Sequence, residues 1–221
     1  MATSTKVQIW DLPLRLFHWS FATLLIVAWY SAEIMDDFDL HFVTGYGLLG
    51  LLIFRVLWGF CGTYHAKFHT FIRGPKRVLA YLRGREKHLE GGHNPLGALS
   101  VVCLLGTASL QALSGLFSDD EYYYFGPLNS YISSDLASVM TNFHHLNFNV
   151  LATATLLHVL AILYYQFIKK QGLIKPMITG MKEDPSNGYE RVEGHYWKRA
   201  IICAVGATVI TVTIANAGSL F

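Results

Sequence analysis

Long apolar stretches dominate the pattern of hydrophobic and polar positions along this chain of 221 residues. Five of them have a length of roughly 18 residues or more, which is what a helix needs to cross the hydrocarbon core of a bilayer. We therefore predict five transmembrane helices, joined by polar segments outside the membrane. The predicted spans cover residues 16–34, 42–60, 95–117, 143–168 and 200–217.

The composition supports a membrane protein. Hydrophobic residues make up 52% of the chain and charged residues only 14%, whereas soluble domains carry roughly 25% charged residues. Because no internal repeat or low-complexity tract divides the sequence, we predict one all-α membrane domain over residues 1–221. Asp11, Pro13 and Arg15 precede the first span and no small-residue cleavage site follows, so we expect no cleavable signal peptide.

The basic residues are confined to one set of loops. With alternating spans, 16 of the 17 lysines and arginines fall in the amino-terminal segment and in the loops after spans two and four, and Arg55 lies inside span two. The other two loops carry only acidic charges, namely Glu33, Asp36, Asp37, Asp39, Asp119, Asp120, Glu121 and Asp135. Loops rich in Lys and Arg stay in the cytoplasm. We expect a bacterial inner-membrane protein with its amino terminus cytoplasmic and its carboxyl terminus external.

The cytoplasmic stretch over residues 68–88 has two interpretations. Pro75 stands at a plausible first helical position, and apolar residues among the arginines after it are typical of an amphipathic helix at the membrane interface. A solvated basic loop that serves only topology explains the same residues equally well.

Four of the ten histidines lie within or at the end of a span: His18, His41, His144 and His158. Fourteen residues separate the last two, so at about 100° per residue both lie within about 40° of one helix face and roughly 21 Å apart along the axis. The alternating topology places His144 at the outer depth with His41, and His158 at the inner depth with His18. His145 is disfavoured because it lies about 140° round the helix from His158.

Paired imidazoles indicate a cofactor. Ionisable residues inside a membrane are costly, and two pairs at matched depths are harder to explain by packing than a single buried histidine. A zinc site is disfavoured, since zinc takes four ligands and each pair offers two. Two imidazoles on one haem iron leave no open position for oxygen, which suits one-electron transfer.

Several residues near the histidines have open roles. Arg55 follows His41 by fourteen residues, so it reaches the inner depth, where it either pairs with a haem propionate or extends toward the headgroups. Asp39 is a possible cap for the helix that carries His41. We expect Gln111 to hydrogen-bond a neighbouring helix.

The glycines of span two and the start of span three each allow two interpretations. Gly45, Gly47 and Gly50 leave room either for a flat macrocycle or for close helix contact. Asn94 and Pro95 favour a helix start, and the adjacent His93 is a weaker candidate for quinone contact.

Motifs in a fixed order carry a family resemblance. They are W-D-L-P-L-R-L-F-H-W around His18, L-H-F-V-T-G-Y around His41, F-I-R-G-P-K-R-V-L-A-Y-L, G-H-N-P-L-G, S-G-L-F, the pair His144 and His158, and P-M-I-T-G. Over residues 7–181 the chain resembles the bacterial cytochrome b561 family, which includes the b-type cytochrome subunits of nickel-iron hydrogenases. The resemblance implies two non-covalent haem b groups held by the four matching histidines, and electron exchange with quinone.

Three classes of function follow. The first is an electron-transfer subunit that links membrane quinone to an external redox protein, either a c-type cytochrome or a hydrogenase-like subunit. The acidic external loops would steer a basic partner of this kind. The second is a self-contained quinone-linked oxidoreductase acting on a small substrate such as superoxide. The third is a haem-free scaffold or transporter. We expect no nucleic-acid partner.

Overall fold

The structure is a computed structural model that describes residues 5–72, 74–85, 91–120, 123–184, 188–192 and 194–220. Helices dominate this part of the chain. In order, the elements are β1 (Thr5–Gln8), α1 (Leu12–Glu33), α2 (Phe38–Cys61), α3 (Phe68–Phe71), α4 (Pro75–Leu82), α5 (Pro95–Gly115), α6 (Ser134–Leu163), α7 (Ile174–Thr179), β2 (Met181–Asp184) and α8 (Trp197–Ala215). A π-helical turn, Tyr164–Ile168, continues α6.

In the described part of the chain, five helices are long and apolar enough to cross a membrane: α1, α2, α5, α6 with its π-helical turn, and α8. The predicted number of spans is therefore confirmed. The largest difference in bounds is at α6, which begins at Ser134 and not at residue 143. Its first turns are mostly polar, and Asp135 there complements the positive end of the helix dipole. A search for apolar residues alone misses such an extension.

The described chain divides into two compact units, and the boundary between them falls within each of the five long helices. The first unit comprises Met1–Phe17, Arg55–Cys103 and Ala154–Ile201. The second unit comprises His18–Phe54, Leu104–Thr153 and Ile202–Phe221.

A buried carboxylate organises the first unit. Asp11 is 0% exposed, and it accepts hydrogen bonds from the indole of Trp58 at 3.1 Å, the hydroxyl of Thr63 at 2.5 Å and the backbone N–H of Leu14 at 2.7 Å. The guanidinium of Arg55, itself 2% exposed, is attracted to this carboxylate. Asp11 thus caps α1 and ties its start to the end of α2 and the loop that follows.

The first unit also contains a small antiparallel sheet that the sequence did not predict. β1 pairs with β2 so that Thr5 faces Asp184 and Gln8 faces Met181. Strands of four residues are too short to show a clear two-residue hydrophobic period. Lys182 of β2 donates to the carbonyl of Gly91 at 3.0 Å, and burial lowers the pKa of this lysine.

Helix starts follow local side-chain caps. The side chain of Asp37 accepts the N–H of Leu40 at 2.9 Å, so α2 begins at Phe38. The prediction of Asp39 as the cap was wrong, since Asp39 lies one residue inside the helix. At α5 the predicted cap is confirmed, because the Asn94 side chain accepts the N–H of Gly97 at 2.7 Å and Pro95 is the first helical residue.

The segment over residues 68–88 holds two short helices. Extended backbone at Ile72 separates α3 from α4, and Pro75 opens α4 as predicted. Arg73 and residues 86–88 lie outside the described residues. Burial and a hydrogen bond with Tyr165 raise the pKa of Tyr81 to about 12, so α4 is attached to the π-helical turn after α6.

Replacing the buried carboxylate should destabilise the protein strongly. Asp11→Ala leaves the buried donors of Trp58 and Thr63 without the carboxylate that accepts from them, and an unsatisfied buried donor costs about 1–3 kcal/mol. The midpoint of thermal unfolding in detergent measures the effect. The matched control is Asp135→Ala, at an exposed carboxylate. Equal midpoints for the two variants would contradict this role for Asp11.

Candidate functional site

Two histidine rings face each other in the second unit. His41 of α2 and His144 of α6 have ring centroids 6.3 Å apart, with an angle of 85° between the ring planes. A bond from metal to imidazole nitrogen is about 2 Å long and the ring centre lies roughly 1 Å behind the nitrogen, so two rings on one metal have centres about 6 Å apart. The separation of His41 and His144 fits one metal ion held between them.

Hydrogen bonds select the ring nitrogen that is available to a metal. His41 Nδ1 lies 2.8 Å from the carbonyl oxygen of Ala28, and His144 Nδ1 lies 2.9 Å from that of Gln111. A carbonyl oxygen only accepts, so each Nδ1 carries the proton and each Nε2 keeps its lone pair. Hydrogen bonds of this kind orient metal-binding histidines.

A cavity of about 440 Å³ borders the two rings. Leu48, Leu52 and Leu151 contribute apolar walls, whereas Glu33, Asp119 and Asp120 contribute acidic groups. The volume lies within the range of roughly 300–1,000 Å³ that is usual for cofactor pockets. The mostly apolar haem b would fit such a pocket, and His41 and His144 are the residues that would hold its iron.

Glycines leave space beside the rings. A Cβ at Gly115 would lie 2.9 Å from Cε1 of His144, so only glycine allows the present ring position. A Cβ at Gly45 would meet nothing within 4 Å, and this residue borders the cavity. Gly47 and Gly50 instead approach Leu24 and Thr211 closely. The macrocycle interpretation thus fits Gly45, and close helix contact fits the other two.

Polar side chains connect α5 to α6 near His144. The amide of Gln111 donates to the backbone carbonyl of His144 at 3.0 Å, which confirms the predicted bond to a neighbouring helix. Asn147, which the sequence analysis missed, donates to the Gln111 side chain at 2.7 Å. Ser114 Oγ, also missed, lies 3.2 Å from His144 Nδ1. The sequence feature that could have indicated Asn147 and Ser114 is a polar residue within an apolar stretch.

His145 takes a different position from its neighbour. It is exposed, it borders the cavity, and its ring centroid is 6.3 Å from that of His144. Within the second unit, the structure brings His41 to His144 with both Nδ1 atoms on backbone carbonyls.

The other predicted ligands lie in separate units. His158 belongs to the first unit, where its Nδ1 is 3.1 Å from Ser100 Oγ. His18 belongs to the second unit and contacts Trp19 edge-on, with ring centroids 4.9 Å apart. Their pairing stays a prediction.

Arg55 and His93 both lie in the first unit. Arg55 stacks over the ring of Phe68 at 4.7 Å, and its Nη1 is buried without a hydrogen-bond partner among the described residues. This buried, unsatisfied donor would fit an anion such as a propionate, and the role of Arg55 stays a prediction. His93 packs between Trp10 and Phe71, with ring centroids 4.7 Å from each.

Comparisons with known proteins agree with the resemblance that the motifs indicated. A family model described as prokaryotic cytochrome b561 matches residues 9–180. The chain is 25% identical over 220 residues to the probable Ni/Fe-hydrogenase B-type cytochrome subunit of Azotobacter chroococcum mcd 1, covering 80% of this chain and 89% of that protein. The subunit of the same name in Azotobacter vinelandii is 24% identical, with the same coverage. The one in Rhizobium leguminosarum bv. viciae is 25% identical, covering 79% and 88%.

A methyl group at position 115 should disrupt the histidine pair. In Gly115→Ala the new Cβ would overlap the His144 ring, so the ring must turn away from His41. We expect a loss of haem, measured as haem per chain and as the reduced-minus-oxidised absorbance of the purified protein. Gly106→Ala is the control, because a Cβ there, on the same helix, meets nothing within 4 Å. Full haem content in both variants would contradict a role for this ring position in haem binding.

Proposed function

The chain belongs to the prokaryotic cytochrome b561 family, and we propose that it carries electrons across the bilayer through two b-type haems, between an external redox partner and membrane quinone. Membership makes it a b-type membrane cytochrome that transfers electrons. The number of haems, their ligands and the two exchange partners are our proposal. The pair of His41 and His144, with each Nδ1 on a carbonyl oxygen, is the observation that carries it.

We assign the haem of the second unit to His41 and His144. A bound haem supplies one-electron redox chemistry. The carbonyl oxygens of Ala28 and Gln111 hold the proton of each ring at Nδ1, so Nε2 is the nitrogen that would bind the iron. Leucines of α2 and α6 line the cavity, and these apolar side chains would keep water away from a bound haem.

We assign the other haem to His18 and His158. The support is the fourteen-residue spacing between His144 and His158, which places both on one face of α6. The contact between His158 Nδ1 and Ser100 Oγ leaves Nε2 available as a ligand. Arg55, with its buried and unsatisfied Nη1, is our candidate partner for a propionate.

The distribution of charge supports the proposed orientation. Lys and Arg avoid the loops that carry the eight acidic residues, so we place the amino terminus in the cytoplasm, the acidic loops outside and the protein in the bacterial inner membrane. The relatives are named as B-type cytochrome subunits of a hydrogenase. A hydrogenase-like subunit or a basic c-type cytochrome is therefore the external partner that we propose.

In this proposal, electrons are exchanged with quinone on the cytoplasmic side of the membrane. A quinone head group needs protons as well as electrons, and a histidine can supply a proton near neutral pH. His93, between the rings of Trp10 and Phe71, is the candidate contact for a flat aromatic head group.

Four substitutions test the ligand assignment. We expect His41→Ala and His144→Ala to remove one haem and leave the other, and His18→Ala and His158→Ala to remove the opposite one, since each variant deletes one axial ligand. Haem per chain and the reduced-minus-oxidised spectrum at low temperature, which resolves the two centres, measure this result. His145→Ala is the control and should retain both haems. One haem per chain in the unmodified protein, or loss of different haems within a pair, would refute the assignment.

Salt dependence tests the external partner. The double variant Asp36→Asn and Asp39→Asn removes two exposed carboxylates, so its electron exchange with a basic c-type cytochrome should be several-fold slower at low ionic strength. The difference should disappear at high ionic strength, where charges are screened. Stopped-flow reduction of the haems measures the rate. Lys76→Gln with Arg77→Gln is the control on the opposite face. A rate that does not respond to salt would contradict an electrostatically steered partner.

A further inference from the structure

We propose that Asn147 is a positioning residue that acts through Gln111 to orient His144 as an axial ligand. Asn147, Gln111 and His144 together form what we call the interhelical clamp. The inference rests on the proposed ligand role of His144 and adds a residue to that site.

The clamp joins α5 and α6 by bonds in both directions. Asn147 Nδ2 donates to the side-chain oxygen of Gln111 at 2.7 Å and to the backbone carbonyl of Thr107 at 3.0 Å. The Gln111 amide nitrogen in turn donates to the backbone carbonyl of His144 at 3.0 Å. The Gln111 backbone carbonyl finally accepts from His144 Nδ1 at 2.9 Å. One residue of α5 therefore holds both the backbone and the ring of His144.

Burial makes this arrangement specific. Asn147 is 5% exposed within a helix of otherwise mostly apolar character. An amide in such surroundings is unfavourable unless it is hydrogen-bonded, so Asn147 holds α6 at the one rotation that satisfies both of its bonds. Three residues separate Asn147 from His144, which places them on neighbouring positions of the same helix face. A rotation that broke the Asn147 bonds would also displace the His144 ring.

The two ligands of the pair are held differently. Among the described residues, His41 Nδ1 contacts the Ala28 carbonyl. His144 Nδ1 contacts two polar groups, the Gln111 carbonyl and Ser114 Oγ. The ring planes make an angle of 85°. The relative orientation of two axial imidazoles sets the electronic levels of a low-spin iron, so a loosened clamp alters a spectroscopic signature as well as binding strength.

Gln111 and Asn147 differ in their position relative to the cavity. In the described structure it includes Gln111 and not Asn147. A substitution at Asn147 therefore changes the support of His144 without a direct change in the surface that meets the cofactor. Asn147→Leu is the more informative variant for this reason, and Gln111→Met serves as the second.

The experiment uses the purified full chain with its haems bound. We expect Asn147→Leu to shift the electron paramagnetic resonance signal of the ferric haem at His41 and His144, because the His144 ring is freer to turn. We also expect its haem affinity to fall by about 10- to 100-fold, the usual cost when a metal-binding histidine loses a group that orients it. Transfer of haem to apomyoglobin measures the affinity. The signal of the other haem should not move, and a double variant with Gln111→Met should add little to the single one.

Asn149→Leu is the matched control. Asn149 lies two residues away on the same helix, is exposed, and donates only to its own helix at the His145 carbonyl, 3.2 Å away, among the described contacts. The signal is normalised to haem, so a low yield of a variant does not affect the comparison. Unchanged resonance and unchanged haem transfer in both Asn147→Leu and Gln111→Met would overturn the clamp. If His144→Ala also kept both haems, the proposed ligand assignment itself would fail.

Discussion

A polar group inside a bilayer must find its partner within the protein, because hydrocarbon offers none. This constraint explains the chemistry of the second unit. The imidazole N–H groups of His41 and His144 donate to backbone carbonyls of neighbouring helices, and the amide of Asn147 is satisfied by Thr107 and Gln111. Each such bond between helices selects one rotation of one helix against another. The hydrogen bonds that make the polar residues tolerable are therefore the same bonds that orient the candidate ligands.

In the first unit the buried polar groups include two charged side chains. Asp11 and Arg55 are both buried, and the carboxylate is surrounded by the donors of Trp58, Thr63 and Leu14. A buried carboxylate is costly unless it is hydrogen-bonded, so Asp11 depends on these three donors. One guanidinium nitrogen stays unsatisfied among the described residues, and this is why an anionic group of the proposed cofactor fits there.

The proposed electron path depends on the hydrogen bonds of the second unit and on the buried charged groups of the first. Two imidazoles on one iron would leave no open position for oxygen, and the carbonyl oxygens at Nδ1 leave the Nε2 lone pair of each ring available for such a bond. Space matters equally, since glycine at position 115 permits the ring of His144 to stand where it does. The position of His144 therefore depends on the backbone carbonyl and side-chain amide of Gln111 and on the absence of a side chain at Gly115.

Sequence by itself determined the number of membrane spans, the family and the bond of Gln111 to a neighbouring helix, because apolar length and short ordered motifs are local properties of the chain. It also indicated His41 and His144 as a pair, since helical periodicity and alternating topology are geometric rules. Tertiary structure alone decided that Asp37 caps α2, that β1 pairs with β2, that Arg55 is buried over the ring of Phe68 and that Asn147 donates to Gln111. These are contacts between residues distant in sequence, or choices between neighbouring carboxylates, and a pattern along one chain does not encode which side chain meets which carbonyl.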